Sequence, residues 1–590
     1  MSKIEESDMT EGLSIDQYTI ETTWSTRITD DIVLKAIQGD VPDDMETSIL
    51  NNINHLNHNK WVDNKEIYIK VFSLLLIDQR SRPIQAIATQ IGDLAKIKSS
   101  TKAFEWGMLL LKECRDSGLY QFKKYDHEWR VYPNFTLDSN TKQKIEKLQF
   151  LPPMKKKPNN WSDNYNGGWL WENKHIVLGN KFTKHEEPLA YDALNKLQSI
   201  PWEIDTNTYL FEKQTNDAMN KKQFLRVIDE YLGEHFYFVW RYDSRGRSYS
   251  SGYDLNLQSN EYGKALLSLH NKEVITNLPN LYIAIANHAG KDKLTWQERI
   301  DWVTAQTIDD IEWDEPILGR KALRALKDYE DNKPTGYVMS IDATSSGIQI
   351  MALLSGCKQT AKLVNCIDPN IRYDLYTKVA DLMNQKLSKP VPRSIVKQCT
   401  MTHYYNSKAT PKGLLTEEEL KVFYEVIEGL LPGAEEIMNT INSCWNPNAD
   451  HHSWIMPDGH TVYVPVVEAI NGVYSDCEFG NIPLRWYHKT KSDNYRSLCP
   501  NVIHSIDGYV AREMIRRCDF QLSHVHDCFV FNPNYLQQVC QTYREITAEI
   551  AKSDLLVDIV RQITGNSNFR ITKASTDLDQ DILQSNYMLS

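Results

Sequence analysis

Apolar residues recur at helical spacing through the first quarter of the chain. In KEIYIKVFSLLLIDQ (65–79) and AFEWGMLLLKEC (103–114) they return every three or four positions, which predicts amphipathic helices. We therefore expect residues 1–147 to form a reduced, mainly helical N-terminal domain whose first residues are frayed. This region carries no obvious catalytic motif.

A segment rich in proline, asparagine, glycine and tryptophan then interrupts the helical pattern. LPPMKKKPNNWSDNYNGGWLW (151–171) follows no regular period, which favours a domain boundary. Beyond it, helical and alternating patterns mix. The Asp-Gly pair at 458–459 and the Asn-Gly pair at 471–472 both precede strand-like stretches and predict hairpin turns. The predicted fold class is α+β and predominantly helical.

Composition predicts a large globular protein of a reducing compartment. The 590 residues are 41% hydrophobic, enough for several domains with buried cores. No leader pattern opens the sequence and VFSLLLI (71–77) is too short to cross a bilayer, so we expect neither export nor membrane binding. The ten cysteines include no C-x-x-C pair and indicate no disulfide framework. An alternative zinc site would draw on residues whose spacing matches no standard ligand pattern: Cys444, His451, His452 and His460.

The net charge of −12 argues against a nucleic-acid partner unless basic residues cluster locally. WRYDSRGR (240–247) holds three arginines, Arg241, Arg245 and Arg247. Such runs are most often solvated surface. Charge alone therefore neither excludes nor requires an acidic protein with basic channels that bind nucleic acid.

The stretch YVMSIDATSSGIQIMALLSG (337–356) places a carboxylate between a strand-like run and an apolar helix. Asp342 is followed by small residues, which leave room for a bulky anionic ligand. A carboxylate beside a backbone carbonyl offers the hard oxygen ligands that suit Mg²⁺. Asp also caps helices well, and for this stretch alone helix capping is the commoner explanation.

A second acid lies between two strand-like halves in QLSHVHDCFVFNP (521–533). The pattern predicts a tight strand-turn-strand unit with His526 and Asp527 at the turn. Asp is common at turns for conformational reasons alone. Two acids delivered by separate strands are nevertheless what a pair of divalent cations needs for phosphoryl displacement.

The third stretch, VPRSIVKQCTMTHYYNSK (391–408), predicts a helix with two cations on one face. Arg393 and Lys397 lie four residues apart, and such a like-charge pair is mildly unfavourable without an anion between them. A triphosphate would be such an anion, with the arginine fork binding phosphate oxygens and the lysine able to give up a proton. A solvated helical face is the alternative.

In this order, the three stretches resemble the single-subunit DNA-dependent RNA polymerases of bacteriophages and mitochondria. The ordered residues that carry the resemblance are Asp342, Arg393, Lys397, Tyr405, His526 and Asp527. DSRGR (243–247) is similar to the family's D-x-x-G-R element, and NVIHSIDGYVARE (501–513) is also similar. The resemblance covers roughly residues 100–590.

The resemblance implies a metal centre and a triphosphate site. Asp342 and Asp527 would hold two Mg²⁺ ions, with the carbonyl of Ala343 helping to bind one of them. Lys397 would act on the leaving pyrophosphate and Arg393 would bind the triphosphate. The partners implied are a DNA template, the RNA product and nucleoside triphosphates.

It also implies how sugar and template are recognised. Tyr405 would discriminate the sugar of the incoming nucleotide, and His504 would approach its 2′-hydroxyl, the group that separates RNA from DNA. Arg247 and Asp243 would lie near the template and the hybrid. The family usually has Gly after the motif tyrosine, and here Asn406 follows, a residue that tolerates left-handed backbone better than most.

The resemblance further implies a right-hand fold of palm, fingers and thumb. The expected domains are the N-terminal domain at 1–147, a thumb at 148–233, a first palm segment at 234–370, fingers at 371–504, and a second palm segment with a tail at 505–590. The apolar segment NYMLS (586–590) should dock near the palm. The Asp342 and Asp527 pair would lie in the palm, and Lys397 and Tyr405 in the fingers.

The expected function is transcription of phage genes in the cytoplasm of an infected bacterium. The segment MPDGHTVYVPVVEAINGVYSD (456–476) is short where relatives place a promoter-reading hairpin, so we expect a need for opened template, a phage accessory protein or a single-stranded-DNA-binding protein. Two alternatives stay open: a DNA polymerase or primase of the same fold, and a non-catalytic nucleic-acid-binding descendant.

Overall fold

The chain divides into two compact units. The first comprises residues 1–151 and 467–489, and the second comprises residues 152–466 and 490–590. The computed structural model describes residues 4–6, 82–94, 100–116, 120–125, 128–133, 153–170, 174–178, 185–215, 228–252, 255–307, 310–488, 492 and 494–590.

The described residues alternate short strands with helices, as expected for an α+β chain rich in helix. The strands are β1 Ile4–Glu6, β2 Arg82–Pro83, β3 Tyr120–Tyr125, β4 Glu128–Pro133, β5 Trp202–Ile204, β6 His235–Phe236, β7 Trp240–Tyr242, β8 Ser248–Ser250, β9 Leu267–Leu269, β10 Glu273–Val274, β11 Pro334–Thr335, β12 Met339–Asp342, β13 His451–Ile455, β14 Thr461–Pro465, β15 Glu468–Asp476, β16 Gly480–His488, β17 Leu522–Val525 and β18 Cys528–Phe531. The helices are α1 Ile84–Leu94, α2 Ser100–Asp116, α3 Tyr191–Gln198, α4 Thr206–Thr215, α5 Glu261–Ala265, α6 Leu278–His288, α7 Trp296–Thr304, α8 Pro316–Glu330, α9 Ser346–Ser355, α10 Lys358–Leu363, α11 Leu375–Asn384, α12 Arg393–Tyr404, α13 Ala409–Leu414, α14 Glu417–Leu430, α15 Pro432–Ser443, α16 Leu498–Arg517, α17 Leu536–Lys552, α18 Leu555–Thr564 and α19 Leu578–Gln584. Short 3-10 turns lie at Tyr495–Ser497 and Pro533–Tyr535. No helix within these described ranges combines the length and apolarity that a bilayer span requires.

The first unit is helical only in part. AFEWGMLLLKEC forms most of α2, as predicted, and buries Phe104, Met108 and Leu111 on one face. The stretch at 65–79 lies outside the described residues. Strands β2, β4 and β3 form a sheet in that order, which the helical expectation for this region did not include.

One of the two predicted hairpin turns is wrong. The Asp-Gly pair joins β13 to β14, as predicted, with Gly459 at a φ of +78°. The Asn-Gly pair instead lies inside β15, where Gly472 pairs with β16, and the turn follows at Asp476–Gly480. The Asp476 carboxylate accepts hydrogen bonds from two backbone amides of that turn, so side-chain capping decides the turn position there. This β15–β16 hairpin belongs to the first unit, although the prediction assigned it to the fingers.

The core of the second unit surrounds a three-stranded sheet with the order β12, β18, β17. Helix α9 follows β12 directly, and its sequence SGIQIMALLS is apolar on nearly every side, which is typical of a fully buried helix. It packs against α15, α16 and α17. Gly356, at a φ of +67°, ends the helix in the left-handed conformation that glycine adopts most readily.

Residues 586–590 pack against the strand that carries Asp342, which confirms the predicted docking of NYMLS. Leu589 forms an antiparallel bridge with Ala343, and the Ser590 amide donates to the carbonyl of Asp342 at 2.9 Å. Met588 and Leu589 are each only 2% exposed. The segment therefore supports the end of β12.

Candidate active site

Asp342 and Asp527 come together through the pairing of two antiparallel strands. Asp342 ends β12 opposite Cys528, the first residue of β18, so Asp527 is the next residue along the neighbouring strand. The amide of Ala343 donates to the Asp527 carbonyl at 3.2 Å and ties the two strand ends together. The strand pairing thus brings the two predicted acids together where these strands end.

The turn that carries Asp527 is as tight as the sequence predicts. Val525 pairs with Cys528, which leaves only His526 and Asp527 in the loop. His526 has a φ of +56°, a left-handed conformation that histidine adopts more often than most residues. Ser346, the first residue of α9, lies close enough to the Asp527 carboxylate to lower its pKa.

The pKa values of both carboxyl groups are raised. Burial in the surrounding protein raises the pKa of Asp527, and the negative charges of Asp342 and Asp507 raise it further. Burial also raises the pKa of Asp342, with Asp507 adding to the effect. Asp342 is nevertheless exposed to solvent. A cation between the carboxylates would relieve this repulsion.

The chemistry of this pair fits Mg²⁺ better than a transition metal. Carboxylate and carbonyl oxygens are the hard ligands that Mg²⁺ takes, and it usually keeps some of its own waters and uses only one or two carboxylates. Within the described ranges no three or more His, Cys, Asp or Glu side chains cluster to hold a metal ion. Neither Asp342 nor Asp527 forms an ion pair with another described side chain. The residues present therefore fit a site completed by substrate oxygens.

The DSRGR sequence forms the turn between β7 and β8, and Asp243 holds this turn together. Its carboxylate accepts hydrogen bonds from the amides of Arg245 and Arg247, at 2.9 and 3.1 Å. It also accepts two bonds from the Arg245 guanidinium and one from Tyr249. Burial alone would raise the pKa of Asp243, but the charge and hydrogen bonds of Arg245 lower it below its usual value. Asp243 is thus an ionised anchor of the turn.

The DSRGR turn packs directly against the HSIDG part of α16. Nη1 of Arg245 donates to Nδ1 of His504 at 3.1 Å, and Nη2 of Arg247 lies 2.7 Å from Oδ2 of Asp507. His504 and Asp507 are three residues apart, so they share one helical face. Gly508 lies beneath the turn, where a Cβ would approach the Gly246 carbonyl oxygen to 2.6 Å. The two sequence elements therefore form one interlocked unit.

We predict that Gly508→Ala destabilises this contact. A Cβ at that separation from a backbone oxygen forces the turn or the helix to move, at a cost of about 1–3 kcal/mol in the free energy of unfolding. Gly413→Ala in α13 is the matched control, because a Cβ added there would meet no heavy atom within 4 Å apart from its chain neighbours and its own helix backbone. Denaturant unfolding of both variants should show a loss only for Gly508→Ala, and equal stability would contradict the close packing.

Helix α12 carries the predicted basic pair over a tyrosine that sequence analysis did not single out. The side-chain nitrogen of Lys397 and the guanidinium carbon of Arg393 each lie 5.7 Å from the ring centre of Tyr376. Arg393 also donates to both carboxylate oxygens of Asp374, each at 2.9 Å. Lys397 is exposed, and its charge opposes the rise in the pKa of Asp342, so it lies near that carboxylate.

Tyr405 lies at the C-terminal end of α12, with its ring centre 5.0 Å from that of His504. Burial raises the pKa of Tyr405 to about 12, so its hydroxyl is protonated at neutral pH. The next residue, Asn406, has a φ of +65°, which confirms that Asn adopts the left-handed backbone here in place of glycine. Its amide donates to Asn442 and to the Arg496 carbonyl.

Sequence analysis did not assign roles to four residues that line the site: Ser346, Tyr376, Asp507 and Arg245. The ion pair between Arg247 and Asp507 and the bond from Arg245 to His504 link residues remote in sequence. A signal was present, because DSRGR offers two arginines at i and i+2 while HSIDG offers a histidine and an acid at i and i+3. Only the packing shows that the two sets meet.

Comparison with known proteins shows which proteins the chain resembles. Residues 275–456 match the DNA-dependent RNA polymerase family. A probable DNA-directed RNA polymerase of Gelasinospora is 22% identical over 488 residues, covering 65% of this chain and 58% of that protein. The DNA-directed RNA polymerase of Pseudomonas phage phiKMV is 25% identical over 39% of this chain and 40% of its own length.

A mitochondrial DNA-directed RNA polymerase of Schizosaccharomyces pombe is 27% identical over 38% of this chain and 24% of that protein. The chain thus spans about half the length, or less, of the curated relatives it matches. The matched region includes Asp342, Arg393, Lys397 and Tyr405. These matches show that the chain is similar to the single-subunit type DNA-dependent RNA polymerases of phages and mitochondria.

Proposed function

We propose that this protein is a nucleotidyltransferase that synthesises RNA on a DNA template. The observation that carries the proposal is the meeting of Asp342 and Asp527 on paired strands, with Lys397, Tyr405 and His504 grouped around them. The similarity of residues 275–456 to the DNA-dependent RNA polymerase family supports it. A non-catalytic descendant would have no reason to keep two neighbouring carboxylates whose charges repel.

Asp342 and Asp527 would hold two Mg²⁺ ions, assisted by the carbonyl of Ala343. Ions bound there supply charge stabilisation for the attacking and leaving oxygens of the phosphoryl transfer. The protein's own part is mainly to position the RNA 3′-hydroxyl and the triphosphate. Lys397 would donate a proton to the departing pyrophosphate.

Arg393 would bind the triphosphate from its place beside Lys397. Its Nε and Nη2 are held by Asp374, which fixes the plane of the guanidinium. The Nη1 edge is then the one that would meet phosphate oxygens. Such preorganisation lowers the entropy lost when the arginine binds its ligand.

Tyr405 and His504 would select a ribonucleotide through its 2′-hydroxyl. Arg247, with the turn that Asp243 anchors, would lie beside the template and hybrid.

A primed DNA template offered rNTPs or dNTPs separately tests this function. Efficient rNTP addition that copies the template supports it. Preferential dNTP addition would favour the DNA polymerase or primase, and no addition of either would favour the non-catalytic descendant.

The right-hand architecture is the fold that this function implies. Residues 234–370 and 505–590 would form the palm, because β12 and the β17–β18 hairpin build one sheet. Residues 371–504 outside the β15–β16 hairpin would form the fingers, and residues 148–233 the thumb.

The phage relative supports phage transcription in the cytoplasm of a bacterial host, although fungal and mitochondrial polymerases are also among the relatives.

We predict that transcription needs opened DNA or a helper protein. The segment 456–476 holds the five-residue strand β14 and the nine-residue strand β15, small elements for reading and opening a duplex promoter. Transcription should be weak on linear duplex and strong on a pre-melted bubble or single-stranded template of the same sequence. A phage accessory protein or single-stranded-DNA-binding protein should narrow that difference. Efficient specific initiation on duplex without helpers would contradict the prediction.

We predict that removing residues 587–590 lowers both stability and nucleotide addition. The deletion removes three buried side chains, Tyr587, Met588 and Leu589, and exposes the apolar surface that they cover. Each such side chain contributes roughly 1.5–3 kcal/mol to the free energy of unfolding when buried. The deletion also leaves the end of β12 unpaired at Ala343. Thermal unfolding and single-nucleotide extension measure the two effects. Leu583→Ala, at a 46% exposed position, is the control, and unchanged elongation in the truncated chain would contradict the predicted role.

A further inference from the structure

The side chains of Asp243, Arg245 and His504 form a continuous hydrogen-bonded row. Nε and Nη2 of Arg245 donate to the same oxygen of Asp243, at 2.9 and 2.7 Å. Nη1 of the same guanidinium donates to Nδ1 of His504 at 3.1 Å. Because Asp243 holds one edge of the guanidinium, the remaining edge is aimed at the imidazole.

This row fixes the protonation of the imidazole ring. A guanidinium is a donor only, so Nδ1 of His504 must accept and cannot carry a hydrogen. The ring is then neutral and its hydrogen resides on Nε2. Burial, reinforced by the charges of Arg247 and Arg245, lowers the pKa of His504 well below its ordinary value, which agrees with a neutral ring.

The Nε2 atom is the end of the row that points away from the DSRGR turn. It is buried and finds no hydrogen-bond partner among the described side chains and backbone. A buried N–H without a partner costs free energy, so it marks a place where a ligand oxygen is expected. The Tyr405 ring lies beside it, with 5.0 Å between the ring centres.

We propose that Arg245 is a positioning residue for sugar selection, because it holds His504 in the tautomer whose Nε2–H donates to the 2′-hydroxyl oxygen of the incoming nucleotide. The inference rests on the proposed function and adds to it a residue that the DSRGR turn supplies. A deoxynucleotide would leave that N–H unpaired, and a site built to bond a hydroxyl strongly disfavours an analogue that lacks it. Without Arg245 the imidazole would divide between two tautomers and turn more freely.

The test is the ratio of kcat/KM for an rNTP to that for the matching dNTP on one primed template. In Arg245→Met we expect this ratio to fall roughly tenfold, the loss of one oriented hydrogen bond. Arg245→Lys keeps a donor and should recover part of the ratio. Arg570→Met, at an exposed arginine outside the site, is the control for loss of a positive charge and should leave the ratio unchanged.

A double-mutant cycle separates positioning from general damage. His504→Ala should lower the ratio by itself, and adding Arg245→Met to it should lower the ratio no further, because Arg245 acts through the imidazole. Additive effects, or an unchanged ratio in Arg245→Met, would overturn the proposal. Thermal unfolding of each variant identifies changes that arise from misfolding.

A second measurement detects the hydrogen bond between Arg245 and His504 and does not depend on catalysis. In ¹⁵N-histidine-labelled protein at neutral pH, the signals that disappear in His504→Gln should report a bare Nδ1 and a protonated Nε2. Arg245→Met should move those signals towards a mixture of tautomers. A protonated Nδ1 in the wild type would overturn the inference even if RNA synthesis is confirmed. Failure of the wild type to add any nucleotide would instead reject the proposed function. The spectrum would still show which nitrogen of His504 carries the hydrogen.

Discussion

Asp527→Asn is expected to lower the rate of ribonucleotide addition by about a thousandfold or more, equal to about 4 kcal/mol of transition-state stabilisation. The substitution keeps the size and shape of the side chain but removes the negative charge that would hold a divalent cation. Single-turnover extension of a labelled RNA primer on a DNA template, at saturating Mg²⁺ and rNTP, measures the effect. Asp342→Asn should behave in the same way, because the paired strands make the two acids equivalent partners.

Stability should not fall in Asp527→Asn. Burial and the charge of Asp342 both raise the pKa of Asp527, so its ionised form is disfavoured in the fold. The neutral amide should unfold at the same temperature as the wild type or higher. Asp519→Asn, at an exposed acid just before β17, is the matched control and should leave the rate unchanged. Equal rates in Asp527→Asn and Asp519→Asn would contradict a role for the pair in catalysis.

Lys397→Gln is expected to lower kcat by about a hundredfold, the usual contribution of one general acid. Lys397 is exposed on α12, lies near the Asp342 carboxylate and lies over the Tyr376 ring, so it could reach a departing pyrophosphate. Glutamine keeps much of the length of the side chain but cannot give up a proton at neutral pH. Pre-steady-state extension rates at saturating rNTP measure the effect on kcat.

The alternative role for Lys397 is simple attraction of the triphosphate. That role would raise KM and leave kcat nearly unchanged, whereas proton donation lowers kcat at saturation. Lys412→Gln in α13 removes an exposed positive charge that is not among the predicted site residues and is the matched control. A change in KM alone would contradict the proton-donor assignment while leaving the charge contact in place.

The local parts of the site could be predicted from sequence because each depends on neighbours in the chain. The β17–β18 turn follows from two strand-like halves around His526 and Asp527, and the helix of Arg393 and Lys397 follows from its periodicity. That Asp342 and Asp527 meet is a matter of strand pairing between distant segments. Periodicity does not specify such pairing. The expectation that the two acids meet came instead from the order of the motifs, which resembles that of the single-subunit RNA polymerases.

Other features could not be predicted because tertiary contacts decide them. The Asn-Gly pair at 471–472 has the composition of a turn, yet it lies within a long strand because the residues around Asp476 form a better-capped turn. The partners of Arg245 and Arg247 on α16 depend on the close approach that Gly508 permits. A charge run that could have lined a basic channel thus proves to be largely an internal network.

The most direct test of the account is to locate divalent cations crystallographically. Crystals with Mn²⁺, a DNA template, an RNA primer lacking its 3′-hydroxyl and the next rNTP would allow anomalous scattering to place the ions. We predict two anomalous peaks, each within roughly 2.0–2.6 Å of a carboxylate oxygen of Asp342 or Asp527. Cations bound elsewhere, with neither carboxylate in contact, would contradict the central claim.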